Sequence, residues 1–89
     1  MILSLNFSLI ELNKDIQRIE RNFQQYCNGE LDALRDFYPS LLAEMPEVIM
    51  DAPVAENLTA ILRYLKKKRL PPLYIIIDEY DNFANQLVV

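Results

Sequence analysis

The residues most able to do chemistry lie in one string near the C-terminal end of the sequence. Leu73-Tyr74-Ile75-Ile76-Ile77 runs into Asp78-Glu79 and continues Tyr80-Asp81-Asn82-Phe83-Ala84-Asn85. An apolar run without alternation suits a strand covered on both faces, as in a parallel sheet. Carboxylates at the C-terminal end of such a strand sit where α/β sheets bind ligands. Asp78 would hold Mg²⁺ through water, because that ion prefers oxygen ligands and keeps much of its hydration. Glu79 would polarise a water attacking a γ-phosphate. Asp81 and Asn82 are candidate accessory groups. A plainer reading stands beside this one: a buried strand whose acids cap the following helix, with Asp81 or Asn82 as an ordinary N-cap.

Composition narrows the chemistry. The chain has 89 residues, 52% hydrophobic and 25% charged, which is ordinary globular usage for one small domain. His is absent, which removes imidazole bases, Ser-His-Asp triads and His-built zinc sites. The single Gly, Gly29, excludes a Gly-rich phosphate loop in these residues. The single Cys, Cys27, excludes an intrachain disulfide and fits a reducing cytoplasm. Net charge is −4, so a broad basic footprint for nucleic acid is missing. No basic n-region opens the sequence and no apolar stretch approaches bilayer length, so a signal peptide or membrane partner is not expected.

The elements that must position the acids follow from patterning. Ile2-Leu3-Ser4-Leu5-Asn6-Phe7 reads as a strand. Ser8-Leu9-Ile10-Glu11 fits a capping box, with a turn through Asn13 as the alternative. Ile16, Ile19, Phe23, Tyr26 and Cys27 share a helical face, and Leu34, Phe37, Tyr38 and Leu41 continue it in phase. Ile16 to Leu34 is about five turns at 3.6 residues each, so one helix over about 13–38 is expected through Gly29. Two helices broken at Asn28-Gly29 is the alternative. Pro39 and Pro46 interrupt, and 46–52 reads as a connection. Asp51-Ala52-Pro53 signals a second helix over about 53–69, with Asp51 as cap. Leu58, Ile61, Leu62 and Leu65 form its stripe, and Lys66-Lys67-Lys68-Arg69 closes it. The expected class is α/β, a β-α-α-β crossover whose strands, about 2–7 and 73–78, are parallel.

The string Ile77-Asp78-Glu79-Tyr80-Asp81-Asn82-Phe83-Ala84-Asn85, behind a Lys-rich helix, resembles the predicted AAA-ATPase-like family of bacterial proteins. Leu3 to Ser8 is similar to the strand after the P-loop helix in that family, and Ile19 to Phe37, with its motif at Asn22 to Asn28, to the long helix that comes next. The resemblance covers most of the chain, and the acidic string is its most specific part. It implies a P-loop NTPase core in which Asp78 and Glu79 take the Walker B positions and the intact family uses ATP and Mg²⁺. It also implies that the two strands lie side by side. The sequence departs from the family by lacking any Gly-Lys-Ser/Thr, and Lys66–Lys68 do not replace a backbone cradle. The expectation is therefore a single partial domain over 1–89, truncated so that the Walker B region is present and Walker A absent, with no tight hold on Mg²⁺ or ATP and no hydrolysis alone. The Walker B strand would keep an open edge, inviting self-association or a complementary fragment.

Three function classes follow. One is the partial ATPase core. The second is a non-catalytic interaction module whose acids are structural. The third is a metal-dependent phosphodiesterase using Asp78, Glu79 and Asp81, which is weakened by the absence of a Lys just beyond the acids. Cys27 on the apolar stripe reads as core. Lys66 to Arg69 reads as a solvated helix end, with nucleic-acid contact as the lesser alternative. Tyr80 either flanks a nucleotide or packs beside the strand end.

Overall fold

The computed structural model describes residues 1–12 and 14–87, without the side chains of Gln86 and Leu87. The order is β1 (Ile2–Asn6), a 3-10 turn (Phe7–Leu9), α1 (Ile16–Phe37), α2 (Val54–Lys67), β2 (Tyr74–Asp78) and α3 (Tyr80–Leu87). β1 and β2 pair in parallel, with Ile2 opposite Tyr74 and Asn6 opposite Asp78. This is the mixed fold with adjacent parallel strands that the patterning and the resemblance imply.

The core lies on one side of the sheet. Leu3, Leu5 and Phe7 are buried with Ile10, with Cys27, Leu31 and Leu34 of α1, and with Ile61 and Leu65 of α2. Leu42, Met45 and Val48 of the connection complete it. α1 is one unbroken helix through Gly29. Its buried row, Cys27, Leu31 and Leu34, is flanked by Phe23, Tyr26 and Tyr38. Three expected members of the stripe are not core: Ile16 in the first turn, Phe37 in the last turn, 75% exposed, and Leu41 beyond the helix are all exposed. Leu62 likewise sits at the margin of the α2 stripe and is exposed.

Helix starts differ from the local signals. Ser8 and Glu11 form no capping box; Ser8 belongs to the 3-10 turn, where Asn6 Oδ1 accepts from Ser8 N–H at 3.0 Å. Asp15 caps α1 by accepting from Gln17 N–H at 3.0 Å. Asn13, taken from sequence as the helix start, lies outside the described residues. Asp51 does not cap α2 either, because the helix begins behind Pro53. The free Val54 N–H instead donates to Gln24 Oε1 of α1 at 2.6 Å. A cap supplied by a distant element satisfies an orphan helix donor as well as a local one.

The connection between the helices is pinned by buried amides. Asn57 Oδ1 accepts from Ile49 N–H at 3.0 Å, and its Nδ2 donates to Ile49 O at 2.9 Å. Asn28 Nδ2 donates to Met50 O at 3.0 Å and Ala52 O at 2.8 Å. Asn57 thus offers Ile49 the donor and acceptor that a neighbouring strand would. Arg35 holds the preceding turn, donating from Nη2 to Met45 O at 2.8 Å and from Nε to Leu42 O at 3.3 Å.

β2 departs from expectation. All five of its residues are exposed rather than covered on both faces. The physical reason is position: the sheet has two strands, the helices pack toward β1, and β2 is the outer one.

Candidate functional site

Asp78 ends β2 beside Asn6, the last residue of β1. Both strands turn at this level. Asn6 Oδ1 accepts from Ser8 N–H and also from Ser8 Oγ at 2.7 Å, an Asx turn that folds the chain into the 3-10 segment. Asp78 Oδ1 accepts from Glu79 N–H at 3.0 Å, which orients the exposed carboxylate.

Glu79 is the unusual residue. Its φ is 62°, in the left-handed region that favours Gly. For a long side chain that conformation is a real outlier and costs about 1–2 kcal/mol. The turn reverses the chain from β2 into α3, whose first bond runs from Phe83 N–H to Glu79 O at 3.1 Å. Asp81 and Asn82 are inside α3, so neither is its N-cap. Asp81 lies in the first turn, where a negative charge suits the helix dipole.

An aromatic cluster fixes this turn from below. Phe7 is buried and meets Phe83 at 5.2 Å, Phe23 at 5.6 Å and Tyr80 at 6.3 Å between ring centroids. Phe83 also stacks on Phe23 at 6.3 Å. The edge-to-face geometry of the Phe7 pairs is the favoured one. Tyr80 therefore packs beside the strand end while remaining half exposed. The i, i+3 spacing of Tyr80 and Phe83, with Phe7 just beyond β1, is a signal of this clamp that the sequence reading did not use.

The two acids face different depressions. Asp78 lines one of about 420 Å³ with Asn6, Tyr26, Glu30 and Ile76, between the strand ends and α1. Glu79 lines another of about 580 Å³ with Tyr80, Asp81, Asn82 and Asn85. Among the described residues no group of three His, Cys, Asp or Glu side chains is placed to hold a metal ion. The donors here fit only a cation that brings most of its ligands with it, as hydrated Mg²⁺ shared with phosphates does.

Lys66 to Arg69 are exposed at the far end of β2 from the acids, with Lys68 Nζ 3.5 Å from Glu44. Cys27 is buried on α1, and burial together with the negative charge of Glu30 pushes its thiol up to about 11. It packs as a small core residue.

The family model of predicted AAA-ATPases matches residues 1–89. The chain belongs to this family. No curated protein and no solved structure matches it. Membership in the AAA-ATPase-like family rests on the whole of these residues, not on the acidic string alone. Among the described residues no helix is long and apolar enough to cross a membrane.

Proposed function

We propose that these residues form the Walker B part of a P-loop NTPase core, with Asp78 as the metal-facing acid and Glu79 as the water-positioning acid. The left-handed turn at Glu79 is the observation that supports this best. A Gly would relieve that conformation, so a carboxylate kept there argues that the acid itself is needed. Mg²⁺, when bound with nucleotide, supplies the positive charge that neutralises phosphate oxygens. Asp78, whose Oδ1 accepts from the Glu79 N–H, would hold the ion through its waters. Glu79 lies one residue further, where its carboxylate orients and accepts a proton from a water. Asp81 and Asn82 stand beside that depression as accessory polar groups.

The sequence holds no Gly-Lys-Ser/Thr, and we assign no ATP hydrolysis to these 89 residues alone. A phosphate cradle must come from another segment, and without one Mg²⁺ and ATP bind weakly.

Titration with Mn²⁺, a paramagnetic stand-in, tests the assignment by NMR. The expected result is broadening centred on Asp78 to Asn82 that disappears in Asp78→Asn. Mg²⁺-dependent ATP turnover abolished by Glu79→Gln would refute the inactivity of the chain. Broadening indifferent to Asp78→Asn would instead support a non-catalytic interaction module, the reading that the exposure of β2 favours. The phosphodiesterase reading lacks support from the placement of Asp78, Glu79 and Asp81, which form no three-carboxylate cluster.

A further inference from the structure

We infer that the outward face at the C-terminal end of α2 is a docking surface for nucleic acid, which Arg63, Lys66, Lys67 and Arg69 hold by its phosphate backbone. The inference stands apart from the acids, which lie at the opposite end of β2.

Charge is segregated along the chain. Arg63, Lys66, Lys67, Lys68 and Arg69 are five of its nine Lys and Arg residues. No Asp or Glu occurs between Glu56 and Asp78. A net charge of −4 rules out a broad basic footprint but not a local one.

The fold turns this charge outward. α2 buries Asn57, Ile61 and Leu65. Arg63, Lys66 and Lys67 stand at i, i+3 and i+4 on the opposite side, and all three are exposed. That side faces away from the core and the sheet, so a further strand beside β2 leaves it uncovered. Lys68 pairs with Glu44 at 3.5 Å, and among the described residues the other four cations make no ion pair.

A helix-end role does not account for the set. The dipole of α2 favours cations within its last turn, which holds Lys66 and Lys67. Arg63 lies a turn earlier. Arg69 lies beyond the helix with φ 54°, where Gly is the ordinary residue. A guanidinium kept there at a cost in backbone strain argues that the cation itself is used.

The chemistry fits a phosphodiester chain. Arg forks onto phosphate oxygens, and Lys meets them as a point charge. No Asn, Gln or aromatic side chain accompanies the cations on this face, so the contact reads charge and not base sequence. An anionic bilayer fits less well. A helix lies in a lipid interface by its apolar face, and that of α2 is in the core.

Fluorescence anisotropy of the full chain with a short labelled DNA duplex, from low to moderate salt, tests the surface. Four phosphate contacts give a slope of log affinity against log salt of about −3 to −4. Lys66→Gln with Lys67→Gln should flatten that slope by about two, and Arg69→Gly by about one, for any duplex sequence. Arg69→Gly should do so while raising the thermal midpoint, so its weaker binding is not a loss of fold. Arg18→Gln, near the start of α1, should leave the slope unchanged. Absence of binding at low salt overturns the proposal. So does an equal loss with Arg18→Gln, which shows diffuse attraction. Binding to phosphatidylserine vesicles without binding to the duplex also overturns it, and assigns the face to a membrane.

Discussion

Asn57 Nδ2 donates to Asn28 Oδ1 at 2.8 Å, joining α2 to α1 through two side chains that are both buried. Each amide is saturated, since the remaining donors and acceptor serve Ile49, Met50 and Ala52. Removing one partner leaves buried backbone groups unpaired, which costs about 1–3 kcal/mol. Asn57→Ala and Asn28→Ala should each lower the stability measured by urea unfolding by that amount. The double variant should cost clearly less than the sum, because the two share one network. Additive losses would show that the pair is not coupled.

Gly29 and Arg69 predict gains of opposite kind. Gly29 sits inside α1 without a positive φ, and a Cβ there would meet only Met50 Cε at 4.0 Å. Gly29→Ala should stabilise by about 0.5–1 kcal/mol, the helix-interior difference. Arg69 has φ 54° and closes α2 in a Schellman turn, with Leu70 N–H on Leu65 O at 2.9 Å and Arg69 N–H on Lys66 O at 3.2 Å. Arg69→Gly should stabilise by about 1 kcal/mol because Gly takes that conformation without the Cβ clash. Thermal unfolding midpoints check both.

Phe83 anchors α3 through Phe7 and Phe23. Its truncation to Ala should cost about 1–2 kcal/mol for a half-buried aromatic. Hydrogen exchange should then accelerate from Glu79 to Phe83 while the amides that join β1 and β2 stay protected. Equal acceleration in both places would show that the aromatic clamp supports the whole sheet rather than the acid turn.

Cys27 makes stability pH-dependent. Its thiol is raised from 9.0 to about 11 by burial, with Glu30 adding to the effect. The folded chain holds this proton more tightly than the unfolded one, so above pH 9.0 unfolding releases it. The contribution is complete below that pH and is lost as pH rises toward 11. Urea midpoints in that window should fall more steeply for the native chain than for Cys27→Ala. Below pH 8 a thiol reagent should label Cys27 only as fast as the chain unfolds.

Much of the architecture was legible because its signals are physical and local. Proline at 39, 46, 53, 71 and 72 punctuates the elements, and the apolar phase carried α1 through Gly29 against its reputation as a stop. The caps were not legible, because Gln24 serves α2 from another helix and no spacing rule reaches across a fold. Asn28 looked like part of a breaker, yet its place between Cys27 and Leu31 is a core position occupied by a polar group. The location of Asp78 and Glu79 at a parallel strand end was readable from residue types. The left-handed backbone at Glu79 was not, because Gly normally announces such a conformation.

Tyr26 of α1 and Tyr38 at its C-terminal cap give the sheet a polarity. Tyr38 Oη accepts from Ile2 N–H at 2.9 Å and Tyr26 Oη from Asn6 N–H at 2.7 Å, so phenols occupy two of the three outward donors of β1. Growth by strand addition is blocked on that flank and open on the other. α1 and its cap thus fix β1 as one margin of the sheet, so any further strand of the core can join only beside β2.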